Sequence, residues 1–268
     1  MADYLGNPAL NASLLKLIVQ RSPLHAWTAS RTLNPNFVPD EKEAFDLGHI
    51  AHGIVLEGTE NRVVVVDAED WRTKIAKEQR DEARRVGKFP ILAKRMPQVR
   101  AIAKAATDQI ERSELKGLLQ DGLAEHIIEW REKGIPCKAK LDFLRSDWKV
   151  VLDLKTTGNA EPNAFIRQIV ALAYDIQADM YCRAVKAKYG VWPLFVFGAV
   201  EVEAPYATSL VALDPQMREV AAAKVDYGLG LWADCTRTNQ WRGYSDEIHY
   251  AEANPWDAAR WLEDQEEA

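Results

Sequence analysis

The segment that most constrains the fold of this chain is residues 137–157. It contains two short runs rich in apolar and β-branched residues, CKAKLDFL and KVVLDLKTT, separated by the polar pair Ser146 and Asp147. Runs of this kind on either side of a turn signal are typical of two antiparallel strands joined by a hairpin. The segment therefore predicts two neighbouring strands of a central sheet.

The charged residues of this hairpin are predicted to share one face. A turn centred on Ser146 and Asp147 would place Asp142 opposite Val151 and diagonal to Asp153. Because strand side chains alternate between faces, Asp153 and Lys155 lie on the face of Val151. Leu152 and Leu154 then point the other way into the core, while the backbone carbonyl of Leu154 lies between the two charged groups.

The remaining elements are predicted from hydrophobic periodicity and from start and stop signals. The first helix has a possible N-cap at Asn11 or Ser13, and the last helix has Asp214 followed by Pro215. Helices are predicted over residues 9–21, 43–58, 71–120, 161–188 and 214–235, and further strands over 62–67, 126–130, 193–202 and 207–213.

This order of elements predicts an α/β fold with a mixed central sheet flanked by helices and a helical N-terminal elaboration. No linker or repeat divides the chain, so we expect a single domain over residues 1–268. Within it, residues 1–120 are mainly helical, 121–235 form the core and 236–268 form a C-terminal tail.

Composition excludes several classes of protein. The chain has 268 residues, a net charge of −6 and 47% hydrophobic residues, and no apolar run is long enough to cross a membrane. Its N-terminus lacks the features of a secretory signal, so we expect a cytoplasmic protein. The cysteines are Cys137, Cys182 and Cys235, which are too few and too far apart for a zinc site, an iron–sulfur cluster or a disulfide framework.

The hairpin supplies the groups that phosphodiester hydrolysis needs. Mg²⁺ takes oxygen ligands and is commonly held by one or two carboxylates together with substrate phosphate, which fits Asp142 and Asp153. A nearby lysine such as Lys155 can position an attacking water or stabilise charge in the transition state. The alternative from this motif alone is a surface Asp–Lys pair on an exposed hairpin.

Four ordered motifs resemble a known family. VLDLKTT following CKAKLDFL resembles the PD-(D/E)XK nuclease superfamily, and more narrowly the exodeoxyribonuclease VIII group of phage and prophage recombination exonucleases. GHIAH at 48–52 is similar to the G-x-x-x-H helix motif of RecB-like nucleases, and QADMY at 177–181 to their Q-x-x-x-Y motif. RSPLHAW at 21–27 resembles the S-P-x-H start of the narrower group. For His25 in this motif, a structural role near the helix end is the alternative to a functional role.

The resemblance implies roles for particular residues. His52 would ligate a metal with Asp142, Asp153 and the Leu154 carbonyl, and Lys155 would act on the attacking water. Gln177 and Tyr181 would line the DNA and metal pocket, and Glu125 would support the metal, with Glu129 as its competitor. Apart from the resemblance, Lys140 has the strand parity of Asp142 and is a candidate for phosphate contact, with a solvated edge charge as the alternative. Arg167 and Gln168, early in the long helix, are candidates for contact with the DNA backbone.

The resemblance also implies an activity. We expect a deoxyribonuclease that uses Mg²⁺, with Mn²⁺ as a possible substitute, and that digests linear double-stranded DNA from its ends in the 5′→3′ direction. A ring-shaped homo-oligomer, a single-strand annealing protein as partner, and a phage or prophage gene in a bacterial host are implied as well. Two alternatives stay open: an endonuclease of the same superfamily, and a catalytically silent nuclease fold that binds DNA.

Overall fold

A computed structural model describes residues 4, 6–38, 47–254, 256, 260, 261 and 263. The helices are α1 (Ala12–Gln20), α2 (Pro23–Ala29), α3 (Leu47–Glu57), α4 (Lys74–Arg85), α5 (Met96–Glu111), α6 (Pro162–Ala171), α7 (Tyr174–Tyr189) and α8 (Pro215–Thr238). The strands are β1 (Val63–Val66), β2 (Phe89–Leu92), β3 (Gly122–Glu132), β4 (Ile135–Arg145), β5 (Val150–Thr157), β6 (Leu194–Glu201) and β7 (Thr208–Ala212).

The centre of the fold is a five-stranded sheet in the order β3-β4-β5-β6-β7. The β5–β6 pair is parallel and the other three pairs are antiparallel, so the sheet is mixed. The chain returns from β5 to β6 through α6 and α7, as a parallel pair requires a long crossover. The predicted fold class is confirmed: a mixed sheet flanked by helices, preceded by a largely helical N-terminal part.

Helices cover both faces of the sheet and form two buried apolar clusters. Residues of α1, α7 and α8 pack with Val151 and Phe197 on one face. Residues of α3 and α5 pack with Leu152 and Leu154 on the other face. The alternation predicted for β5 is therefore confirmed, since its even-numbered leucines and its odd-numbered Val151 lie in different clusters.

The register of the β4–β5 hairpin differs from the prediction by two residues. Phe143 pairs with Leu152 and Leu144 with Val151, and these are the registered pairs between the two strands. Continuing that register places Asp142 opposite Asp153 rather than opposite Val151. The connection between the strands comprises residues 146–149, so its centre lies one residue later than predicted. A register shift of two residues does not by itself move any side chain to the other face of the sheet.

Two predicted helices are interrupted. The predicted helix 71–120 contains β2, which pairs in parallel with β1. Gly87, with φ 71°, ends α4, and Pro90 favours an extended chain within β2. The predicted helix 161–188 divides into α6 and α7 at Ala173, whose φ is 49°. Of the predicted helix 43–58, residues 43–46 lie outside the described part.

Local signals at the helix ends are confirmed. The Asn11 side chain accepts a hydrogen bond from the Leu14 N–H at the start of α1. The Asp214 side chain accepts one from the Met217 N–H at the start of α8. No helix within the described residues is both long and apolar enough to cross a membrane.

Candidate active site

A cleft of about 400 Å³ lies between α3, the β1–β2 pair and one end of the central sheet. Six of the ten residues predicted for the site line this cleft: His52, Glu125, Lys140, Asp142, Leu154 and Lys155. It is also lined by other polar and aromatic side chains, among them Glu57, Arg62, Phe89 and Tyr174. The lining residues run from Gly48 to Tyr174, so segments that are distant in the sequence contribute to one pocket.

Asp142 lies where β4 changes the direction of its side chains. Ala139 and Leu141 belong to the apolar cluster under α7, whereas Phe143 belongs to the cluster under α5. Strict alternation would keep Leu141 and Phe143 on the same face, so the strand changes phase at Asp142. On the adjacent strand, Glu125 has a positive φ of 53°, which marks the same kink. This local irregularity turns both carboxylates toward the cleft.

The Asp142 carboxylate contacts two neighbours. Its Oδ2 lies 3.4 Å from Nδ1 of His52, which projects from α3. The same oxygen accepts a 2.9 Å hydrogen bond from the backbone N–H of Leu154. The sequence prediction gave Leu154 a role through its carbonyl, but the contact that Leu154 makes with this carboxylate comes from its N–H.

Asp153 lies directly behind the cleft and is fully buried, with 0% exposure. Its carboxylate forms an ion pair with Lys155 and accepts a 2.6 Å hydrogen bond from Nε2 of Gln177 on α7. Burial raises the pKa of Asp153; the Lys155 ammonium opposes this shift and the Asp142 carboxylate adds to it. The surroundings of this buried carboxylate thus favour a cation beside it.

Lys155 is held between the carboxylates and an aromatic ring. Burial by itself would lower the pKa of Lys155, but the charges of Asp153 and Asp142 outweigh it, and the net pKa is raised. Its Nζ lies 5.0 Å from the centre of the Tyr174 ring, at the start of α7. A cation over an aromatic ring is stabilised by the ring quadrupole, so Tyr174 helps to fix this ammonium.

The second acidic position of the cleft is Glu125, which forms an ion pair with Lys140. Both side chains line the cleft beside Asp142. The competing Glu129 accepts a 2.7 Å hydrogen bond from Asn7 on an exposed surface and does not line the cleft. The structure therefore brings Glu125, and not Glu129, to the other candidate residues.

Three further predicted residues do not line the cleft. Gln177 is buried and contacts the site by its hydrogen bond to Asp153. Tyr181, one turn later on α7, packs against Phe195 and also interacts with Gln177; burial and the nearby charges of Asp153 and Asp142 raise its pKa. Arg167 is exposed on α6 and does not line the cleft. None of the three lines the cleft itself, so Gln177 contacts the predicted metal pocket through Asp153, and the contact of Arg167 with the DNA backbone stays a prediction.

His25 is also away from the cleft. Its Nδ1 lies 2.6 Å from the Ser22 hydroxyl in the first turn of α2, and its ring contacts Tyr244. Ser22 itself is the N-cap of α2, followed by Pro23 at the first helical position. The S-P-x-H motif therefore makes a helix start, in agreement with the structural alternative.

Lys16 on α1 belongs to the site but was missed by sequence reasoning. Its Nζ donates a 3.1 Å hydrogen bond to Oε1 of Gln177 and lies 4.8 Å from the Tyr174 ring centre. Burial and the charge of Lys155 lower the pKa of Lys16 to about 8. A single lysine on an amphipathic helix carries no local signal of such a role, because its partner is 161 residues away.

The donor set fits a divalent cation in its chemistry. His52 Nδ1 and Asp142 Oδ2 face each other at the cleft, and carboxylate oxygen with imidazole nitrogen suits Mn²⁺ as well as the harder Mg²⁺. Asp153 Oδ2 is buried and its contact is the Lys155 ammonium, a cation already in place. Across the described part of the chain, however, no three His, Cys, Asp or Glu side chains converge as a complete ligand set. A metal held by His52, Asp142 and Asp153 together would require the Asp153 carboxylate to turn from the Lys155 ammonium toward the ion.

Comparison with known families agrees with this geometry. Residues 12–254 match the family described as a PDDEXK-like domain of unknown function (DUF3799). The chain belongs to this family. The matched residues include the whole cleft and all five strands of the central sheet. The resemblance to the PD-(D/E)XK superfamily is thereby confirmed, and the chain has the PDDEXK-like nuclease fold.

A solved structure shows the same fold. A protein from Eubacterium rectale, provisionally named an exonuclease, aligns with a TM-score of 0.61 at 14% identity, covering 94% of this chain and 92% of its own. An alkaline exonuclease from Laribacter hongkongensis aligns over 63% of this chain and 85% of its own, also at 14% identity, but its TM-score of 0.30 is too low to support an argument. Comparison with curated proteins gives no match.

Proposed function

We propose that this protein is a divalent-metal-dependent deoxyribonuclease that hydrolyses phosphodiester bonds in the cleft described above. The observation that carries the proposal is the convergence of Asp142, Asp153 and Lys155 with His52 at one pocket. A module that only binds DNA has no need for carboxylates facing phosphate, because they would repel it. A metal between the carboxylates and the phosphate removes this repulsion.

The roles of the residues follow from their positions. A bound Mg²⁺ or Mn²⁺ supplies a Lewis acid that polarises the phosphate and lowers the pKa of a ligated water. His52, Asp142 and Asp153 would hold this ion. Lys155 stabilises the negative charge that develops on the phosphate and orients the attacking water. Glu125, beside Asp142, adds a further carboxylate at the same edge.

The cleft also has positive side chains for the DNA backbone. Arg62 and Lys140 lie on its rim, each beside a carboxylate that limits its attraction for anions in general. Binding depends on where positive charge is placed rather than on its sum, so the net charge of −6 is compatible with a DNA substrate.

We further propose that the enzyme is an exonuclease that digests linear double-stranded DNA in the 5′→3′ direction. The support is the resemblance of the motif around Asp153 and of RSPLHAW at 21–27 to the exodeoxyribonuclease VIII group. The unbroken order of elements supports a single domain over residues 1–268. The same resemblance supports a homo-oligomeric ring around the DNA, an annealing partner, and a role in phage-type recombination in the bacterial cytoplasm. The rivals are an endonuclease with the same chemistry and a silent DNA-binding fold.

One digestion experiment separates these alternatives. A linear duplex labelled at one 5′ end or the other is incubated with Mg²⁺ or with EDTA, beside a covalently closed circle. The expected result is Mg²⁺-dependent loss of the linear duplex alone, with the order of label release giving the polarity. Cutting of the circle would favour the endonuclease, and DNA binding without cleavage would favour the silent fold.

Two variants connect the result to the cleft. Asp153→Ala removes the buried carboxylate and is expected to abolish cleavage. Asp147→Ala is the matched control, since this aspartate pairs with Arg145 on the exposed turn of the same hairpin. Equal activity of the two variants would place the chemistry outside the proposed site.

A further inference from the structure

Lys16 comes from α1, the first helix of the chain, yet it reaches the back of the candidate active site. Leu15 and Ile18 on either side of it are buried in the apolar cluster shared with α7 and α8. The end of α1 is fixed as well, because the Gln20 side chain donates a 3.0 Å hydrogen bond to the carbonyl of Ala171. The position of Lys16 is therefore set by the core and not by a mobile surface.

The contact between Lys16 and Gln177 determines which way the glutamine amide points. A lysine ammonium only donates hydrogen bonds, so it must face the amide oxygen, at 3.1 Å. An ionised carboxylate only accepts, so Asp153 must face the amide NH₂ group, at 2.6 Å. The two neighbours demand the same orientation, and Gln177 joins the ammonium to the buried carboxylate.

The ring of Tyr174 holds Lys16 and Lys155 in a common arrangement. The two ammonium nitrogens lie 4.8 Å and 5.0 Å from its centre. Each ammonium is attracted to the ring. Lys155 also contacts Asp153 directly, whereas Lys16 contacts Gln177, which in turn donates a hydrogen bond to Asp153. Asp153 is thus fixed by one direct cation and by a second cation acting through an amide.

We infer that Lys16 is a positioning residue of the active site, which fixes the Asp153 carboxylate through the side-chain amide of Gln177. This inference rests on the proposed metal-dependent function, because its consequence is an Asp153 held ready to ligate a metal. Loss of an outer partner of a ligand typically weakens metal affinity by about 10–100-fold. Lys16 does not itself line the cleft, so it should not contribute in the same way to DNA binding.

The test measures Mn²⁺ affinity by isothermal titration, without DNA, for the wild type, Lys16→Met, Lys16→Arg, Gln177→Leu and the double variant Lys16→Met/Gln177→Leu. Lys16→Met is expected to weaken Mn²⁺ binding by about 10-fold, and Lys16→Arg to preserve it within about 3-fold. Because Lys16 acts through Gln177, the double variant should bind no more weakly than Gln177→Leu alone. Additive losses would overturn the inference, and so would unchanged binding by Lys16→Met.

Two further measurements keep the outcomes separate. Lys104→Met is the control, since this lysine is exposed on α5 and pairs only with Asp108 among the contacts described for it; it should leave Mn²⁺ binding unchanged. DNA affinity in EDTA should be the same for Lys16→Met and the wild type, and a loss there with intact Mn²⁺ binding would make Lys16 a phosphate contact instead.

The last readout does not need a metal. The ¹⁵N resonance of the Gln177 side-chain amide should shift in Lys16→Met and keep its wild-type position in Lys16→Arg. If the wild type binds no Mn²⁺, the proposed function fails, whereas this resonance still decides whether Lys16 orients the amide. An unshifted resonance in Lys16→Met would overturn the inference whatever the metal result.

Discussion

Replacing Gln177 by leucine tests how the buried carboxylate is supported. The change keeps the size of the side chain and removes both polar ends of the amide. Asp153 would lose its 2.6 Å hydrogen bond while remaining at 0% exposure, so no water can replace the lost donor. Lys16 would lose its acceptor at the same time. We therefore expect metal-free Gln177→Leu to be clearly less stable than the wild type.

The size of the effect follows from the charge of the acceptor. A hydrogen bond to an ionised group contributes about 1.5–3 kcal/mol, compared with about 0.5–1.5 kcal/mol for a neutral pair. We expect a loss of about 2 kcal/mol in the free energy of unfolding at pH 7, which corresponds to a fall of about 4–8 °C in Tm for a chain of this size. Since burial raises the pKa of Asp153, the loss should shrink as the pH falls and this carboxyl becomes protonated.

Denaturant unfolding in EDTA measures this difference, with Gln168→Leu as the matched control. Gln168 is also a helical glutamine near the sheet, but its Oε1 accepts a 3.0 Å hydrogen bond from the neutral Thr157 hydroxyl. Its replacement should cost about 1 kcal/mol or less and should not depend on pH. Equal losses for the two variants, or a Gln177→Leu loss that grows at low pH, would refute the reasoning.

Three other predictions concern the same framework. Gly228→Ala should destabilise the fold by about 1 kcal/mol, because its Cβ would lie 2.7 Å from a Leu15 methyl, whereas Gly230→Ala on the same helix has open space and should stabilise it by about 0.5–1 kcal/mol; thermal melting distinguishes them. The lowered pKa of Lys16, about 8 against 10.5, means that the unfolded state binds more protons in that window. The unfolding free energy of the wild type minus that of Lys16→Met should therefore rise by up to about 3 kcal/mol from pH 8 to 10.5, and a flat difference would contradict it. Lys155→Met should lower the single-turnover rate of DNA cleavage by about 10²–10³-fold and leave DNA affinity in EDTA nearly unchanged. A large loss of DNA affinity with an unchanged rate at saturating enzyme would instead mean that this lysine mainly binds DNA.

The sequence alone determined the features that depend on near neighbours along the chain. Alternation in β5 placed Leu152 and Leu154 in one apolar cluster, opposite the face of Val151. Local hydrogen bonding made Asn11 and Asp214 helix caps. The fold class and the superfamily followed from the order of such elements and from short motifs. These features could be predicted because their causes are strand periodicity and contacts within one helical turn.

The tertiary structure decided the features that depend on distant contacts. Alternation cannot reveal that β4 changes phase at Asp142, since the packing of two different clusters imposes the change. The same holds for Gln177, which the motif suggested for the DNA and metal pocket: the packing of α7 on the sheet directs it to Asp153, behind the cleft. Lys16 had no sequence signal at all. Its role arises because α1 folds back onto α7, and such a contact exists only once the whole core has assembled.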